Sequence, residues 1–139
     1  MRRLARREYS RDELQKNLVS RGYPVDTVIE VIEDLARSGL QSDSRFAEVF
    51  VRSRVGKGYG AHWIKQALRQ HGAVEEAGSL NEVDWDERIF RVYTRKYRGA
   101  SIPSSLPELA SRQRFLVGRG FTGDQIRRLF RRLKDGGDA

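Results

Sequence analysis

Cysteine is absent from this 139-residue chain. Its absence excludes a disulfide framework, a thiolate metal site and a cysteine nucleophile. Proline occurs only three times, so little interrupts long helices. Apolar residues make up 38 % of the chain and aromatics 9 %. That is too lean for one large spherical core and suits small helical units with wide solvated faces. No apolar run approaches the roughly 20 residues of a membrane span. The N-terminal Met1-Arg-Arg-Leu-Ala-Arg-Arg-Glu8 is charged and lacks an apolar stretch, so it does not read as a secretory signal. A reduced cytoplasm is the expected compartment.

What the chain has in excess is positive charge. Lysine and arginine number 27 against 19 acids, a net charge of +8, and 22 of the cations are arginine. Arginine forks onto phosphates and carboxylates in a way lysine cannot. The expected partner is an anionic polymer or an acidic protein face. The excess is uneven: residues 1–42 and 43–83 each carry a net +1, and residues 84–139 carry +6. Three acid-free stretches sharpen the pattern. The first holds Arg52, Arg54, Lys57, Lys65 and Arg69; the second Arg88, Arg91, Arg95, Lys96 and Arg98; the third Arg127, Arg128, Arg131, Arg132 and Lys134.

Apolar spacing is helical almost throughout. Ser10-Arg-Asp-Glu13 is a capping box before a face of Leu14, Leu18 and Val19. Val28, Ile29, Ile32, Leu35 and Ala36 mark a second helix after Pro24. A third starts at Asp43, read as its N-cap, and carries Phe46, Ala47, Phe50 and Val51. Trp63, Ile64, Ala67 and Leu68 form the next face, and residues 73–83 are the weakest segment, interrupted by Gly78-Ser79. Asp84 and Asp86 open a helix with Ile89, Phe90, Tyr93 and Tyr97; Arg98–Leu106 is a loop. Leu106, Leu109, Ala110, Leu116 and Val117 mark the following helix. Thr122-Gly-Asp-Gln125 is a second capping box, opening a last helix with Ile126, Leu129, Phe130 and Leu133 inward.

These elements repeat. Arg21-Gly22-Tyr23, His71-Gly72-Ala73 and Arg119-Gly120-Phe121 each end a helix, their glycines 50 and 48 residues apart, each with a leucine four residues earlier. The expected fold is all-α: a tandem array of three three-helix, helix-turn-helix-like repeats, elongated and curved. The repeats span 1–42, with a short first helix, 43–83, and 84–139, the most basic.

Catalytic chemistry is not evident. His62 and His71 lie nine apart, about 13 Å along a helix, too far to share a metal. A helix C-terminal dipole role suits His71 better. Asp84, Asp86 and Glu87 at a helix start read as caps and dipole complement. Gly56-Lys-Gly-Tyr-Gly60 has the glycines of a phosphate loop, but no Gly-Lys-Ser/Thr follows and the dinucleotide spacing is wrong, so a flexible inter-helix turn is expected. Tyr59 is the one loop aromatic expected to reach a partner. No enzyme, metal or cofactor is expected. On the last helix, Arg127, Arg128, Arg131 and Arg132 crowd one side with only Asp124, Asp135 and Asp138 nearby. Like charges four apart cost a few tenths of a kcal/mol per pair, which points to an anionic surface opposite.

At residues 35–72 the chain resembles the RecX family of bacterial recombination regulators. The pattern is Leu35-x-x-x-Gly39-Leu40, Asp43-Ser-Arg45-Phe46-Ala47, then Arg54, Gly58, Gly60, Ile64, Leu68 and Gly72; Val83-Asp84-Trp85 and Arg119-Gly120-Phe121 resemble later landmarks. The resemblance implies an all-helical array of three-helix repeats that binds the RecA nucleoprotein filament on single-stranded DNA. It further implies inhibition of RecA's ATPase, strand-exchange and coprotease activities, and no enzymatic activity. Charge and resemblance together make Arg52, Arg54, Lys57, Tyr59, Lys65, Arg69, Arg91, Arg95, Lys96, Arg98, Arg127, Arg128, Arg131 and Arg132 the candidate RecA and DNA contacts. Binding to single-stranded DNA itself is expected to be weak and non-specific, and the protein a monomer.

The rival reading is a stand-alone helix-turn-helix DNA-binding regulator. It needs base-reading residues at helix starts, where Val25-Asp26-Thr27 and Glu75-Glu76 place acids. An adaptor for acidic proteins is a third reading.

Overall fold

The computed structural model describes residues 7–136; the basic N-terminal stretch through Arg6 and Asp138 lie outside them. The described chain is helical: α1 (Arg11–Ser20), α2 (Val25–Arg37), α3 (Asp43–Gly56), α4 (Ala61–Gln70), a 3-10 segment (Val74–Glu82), α5 (Trp85–Tyr97), α6 (Leu106–Arg119) and α7 (Gly123–Lys134). No strand occurs among the described residues. The all-α class and helical-repeat architecture hold, and the weak segment around Gly78-Ser79 winds as 3-10 helix.

Both capping boxes form. The Ser10 hydroxyl accepts from the Glu13 amide at 3.1 Å while the Glu13 carboxylate accepts from the Ser10 amide at 3.2 Å. Thr122 and Gln125 repeat the exchange at 3.1 and 2.9 Å. Each box stabilises its helix by about 1 kcal/mol.

The repeated leucine–glycine spacing is a helix stop. The amide after each glycine returns to the carbonyl of the leucine four before it: Tyr23 to Leu18, Ala73 to Leu68 and Phe121 to Leu116, at 3.3, 2.9 and 3.2 Å. The glycines take φ of +98°, +70° and +103°, the left-handed turn this motif demands. The repeat read from the sequence is thus a recurring way to end a helix and aim the next one.

The chain forms two compact units. The first comprises the residues up to Arg52 together with Lys65–Ser79. Val28, Ile32, Phe46, Ala47, Phe50, Val51, Leu68 and Ala73 are its buried apolar residues. Asp43 is not the cap of its own helix. Ser42 takes that place, its hydroxyl accepting from the Arg45 amide at 3.1 Å. The Asp43 carboxylate instead accepts from the amide of Arg11, the first residue of α1, at 2.8 Å, and from Gln41 at 3.0 Å. It satisfies one of α1's orphan donors across 32 residues of sequence. Arg45 pairs with Glu8 at 3.0 Å. The Asp43-Ser-Arg45-Phe46-Ala47 motif therefore fastens α1. His71 stands at the C-terminal end of α4, as expected, and its ring also packs against Phe46 and Phe50, centroids 5.3 and 5.5 Å away, as an extension of the aromatic core.

The second unit comprises Ser53–Ile64 and the chain from Leu80 onward. Its core joins Ile89 and Tyr93 of α5, Leu116 of α6, Phe121, and Ile126, Leu129 and Leu133 of α7. The inward face predicted for α7 is correct. On α6, Leu116 is buried, but Leu106 and Val117 are exposed, because the helix packs only a narrow stripe that excludes them. The fully buried Tyr93 donates to the Ser101 carbonyl at 2.6 Å and accepts from Arg112 at 2.7 Å. These bonds hold the Arg98–Ser105 loop against α5. Burial alone lowers the Arg112 pKa, but its hydrogen bonds to Tyr93 and Glu108 outweigh that and raise it; burial raises that of Tyr97.

Candidate functional site: a basic groove

α5 opens on Asp84, whose carboxylate accepts from the Glu87 amide at 3.2 Å. Arg88, Arg91 and Arg95 then recur at spacings of three and four. That places them on one stripe about 10 Å long. The stripe, the Gly56–Gly60 loop and the end of α6 enclose an open groove of about 980 Å³ within the second unit. Lys57, Arg88, Arg91, Arg95, Lys96 and Arg119 line it, with Val55, Val92 and Phe115 as its apolar part and no acid among the lining residues. Arg91 pairs with Glu87 at 3.3 Å. Among the described residues no ion pair holds Lys57, Arg88, Arg95 or Lys96. Lys96 lies over the Phe115 ring, 5.1 Å from its centroid.

The glycine loop forms one wall, and it is neither a flexible turn nor a phosphate cradle. The amides of Lys57, Gly58 and Tyr59 all return to α3 carbonyls, and the Gly60 amide donates to the Arg119 carbonyl at 2.7 Å. No amide of residues 57–60 is left for a phosphate. The His62 amide completes the pin, donating to the Gly120 carbonyl at 3.0 Å. The approach requires glycine on both sides. A Cβ on Gly60 would sit 2.5 Å from the Gly120 carbonyl carbon, and one on Gly120 2.5 Å from the Trp63 nitrogen.

Arg119 belongs to both pin and groove. Its guanidinium donates to the Lys57 carbonyl at 3.4 Å and lies 4.6 Å over the Tyr59 ring. Tyr59 in turn stacks on Trp63, centroids 3.7 Å apart and planes 15° from parallel. The Arg119 Nε is buried with no hydrogen-bond partner. Tyr59 is therefore the middle of a three-layer stack, half-buried between Arg119 and Trp63.

The structure brings together four of the candidate residues, Lys57, Arg91, Arg95 and Lys96. Arg88 and Arg119 complete the lining and were not among the candidates. The seven-residue spacing of Arg88 and Arg95 was a readable signal for the first; nothing local marked the second. The others lie elsewhere. Arg52 pairs with Glu48 at 3.7 Å, Arg54 donates to the Ser53 hydroxyl, Arg69 to Gln66, and Lys65 and Arg98 are exposed. On α7 the acids near in sequence were an incomplete count, because the fold adds Asp86 and Glu87 of α5. Arg128 donates from Nε to both Asp86 oxygens at 3.1 Å. Arg132 pairs with Glu87 at 3.3 Å and lies 3.6 Å over the Phe90 ring. Arg127 pairs with Asp124, and Arg131 is exposed. Asp86 and Glu87 thus act as latches for α7 besides complementing the helix start.

Among the described residues no group of three or more His, Asp or Glu side chains could hold a metal ion. No described helix is long and apolar enough to cross a membrane. Two family models match the chain: the RecX first three-helix domain over residues 1–35 and the RecX second three-helix domain over residues 42–76. Regulatory protein RecX of Halorhodospira halophila is 44 % identical, with 91 % of this chain and 81 % of that protein covered. Its namesakes in Chromohalobacter salexigens and Pseudomonas putida are 39 % and 41 % identical, with 91 % of this chain and 85 % and 83 % of their own lengths covered. A crystal structure of regulatory protein RecX aligns with a TM-score of 0.72 at 20 % identity, covering 95 % of this chain and 66 % of its own.

Proposed function

The chain belongs to the RecX family of regulatory proteins, and from that premise we propose that it binds the RecA filament on single-stranded DNA and restrains RecA's ATPase, strand-exchange and coprotease activities. It acts in the cytoplasm, as a monomer and without catalysis of its own. The observation that carries this reading is the groove: six cations converge with no acid among them, as a polyanionic assembly requires. The cations outside the groove, chiefly Lys65, Arg98 and Arg131, remain candidates for contacts to RecA itself.

RecA's ATPase on single-stranded DNA, measured with increasing amounts of this protein, tests the reading. Inhibition at equimolar or lower ratios is expected, together with co-sedimentation with RecA–DNA filaments. Full ATPase activity at those ratios would sink it. A tight, sequence-specific shift of naked duplex would favour the stand-alone regulator instead.

A further inference from the structure

We propose that the groove of the second unit is a base-blind track for a phosphodiester backbone, and that its occupant braces the pin between Gly60 and Gly120. The proposal rests on the reading above only in taking a nucleic-acid strand as the occupant.

The case for a backbone track comes from the two walls. Along α5, Arg88 and Arg95 stand a little over 10 Å apart along the helix axis, with Lys96 beside the second. Among the described residues none of the three has an ion-pair partner. Across from them, Arg119 is held by the Lys57 carbonyl and the Tyr59–Trp63 stack. One wall thus offers long, adjustable cations and the other a fixed guanidinium. Such a pair suits a flexible chain of regularly spaced phosphates.

The case for base-blindness comes from the rings. Proteins that hold bases of a single strand offer open aromatic faces for stacking. Here Phe115 lies under Lys96 and meets Tyr97 edge-on at 5.9 Å. Tyr59 is stacked on Trp63 and topped by Arg119. No lining residue is an Asn or Gln that could pair with an adenine edge, or an Asp or Glu that could accept from cytosine.

The case for the brace comes from shared residues. The Arg119 side chain lines the groove while its carbonyl accepts the Gly60 amide; Lys57 lines the groove while its carbonyl accepts Arg119. A phosphate held by both side chains therefore fixes the two strands of chain that the pin joins.

The experiment compares an oligo(dT) with an abasic oligomer of equal length, at several salt concentrations, using the whole protein. Equal affinity within about twofold is expected. Weakening of the abasic strand by roughly tenfold or more would reveal base stacking and overturn the track. Replacing three surface cations, Arg88→Gln, Arg95→Gln and Lys96→Gln, should lower affinity about 100-fold at 0.1 M salt and flatten the log–log salt slope by about 2. An unchanged slope in a variant with native circular dichroism overturns the assignment. Hydrogen exchange tests the brace: the Gly60 and His62 amides should slow several-fold when the strand is saturating, and unchanged rates refute it. The RecA ATPase assay keeps the two readings apart. A triple variant that loses the strand yet still inhibits RecA leaves the RecA reading standing without the groove. A wild-type protein that binds the strand but never inhibits RecA leaves the track standing without RecA.

Discussion

The last helix and the groove carry the same kind of charge to opposite ends. α7 sets five cations within eight residues, Arg127 to Lys134. Two of its arginines are latched onto Asp86 and Glu87 of α5, and a third onto Asp124. The groove draws its six cations from three segments spread between Lys57 and Arg119; no acid lines it, and among the described residues only Arg91 is ion-paired, with Glu87. Linear charge density is thus a poor guide to an electrostatic footprint. What matters is which acids the fold delivers to the same place, and here they go to α7.

The contrast can be broken or sharpened by substitution. The largest effect should come from Gly120→Ala, which removes the groove's fixed wall by forcing a methyl to within 2.5–2.6 Å of Trp63 at a φ of +103°. Overpacking and left-handed strain together predict a loss of about 3 kcal/mol in a urea melt; a loss under 1 kcal/mol would mean the pin is easily displaced. Next comes the pair Arg128→Gln and Arg132→Gln. Because both arginines hold α7 to α5, stability should fall by about 1 kcal/mol, through two half-exposed ion pairs and the Phe90 contact. Strand affinity should barely change. A large loss of binding with unchanged stability would return these residues to the contact surface.

Removing the latches from the other side is a subtler test. Asp86→Asn with Glu87→Gln should cost slightly under 1 kcal/mol and steepen the salt dependence of strand binding, since Arg91, Arg128 and Arg132 lose their acids. An unaltered slope would show that the latches do not silence α7. The smallest effect is expected for Arg127→Gln with Arg131→Gln, both exposed, with stability within about 0.5 kcal/mol of the parent. Filament co-sedimentation of this pair asks whether the outer side of α7 meets protein.

Much of the fold was legible locally. Capping boxes at Ser10 and Thr122, the leucine–glycine stops and the inward face of α7 depend on residues within one or two turns of each other, and each formed as the spacing predicts. The readings that changed involved partners distant in sequence. Asp43 serves α1 from 32 residues away. Gly60 is glycine because Gly120 passes against it. Tyr59, stacked on its near neighbour Trp63, is covered on its other face because Arg119 arrives above it. Leu106 and Val117 follow a helical period, but which stripe is buried depends on the neighbours that α6 meets.

The sequence by itself determined the helices, most of their ends, the family and the presence of surplus arginine, because caps, periodicity and composition are properties of neighbouring residues. Only the tertiary structure decided which arginines are spent on internal acids and which are left facing an open groove. Coulomb and hydrogen-bond partners are chosen by distance in space, and Arg128 finds Asp86 across 42 residues while Arg95, with Glu87 on its own helix, pairs with no acid among the described residues.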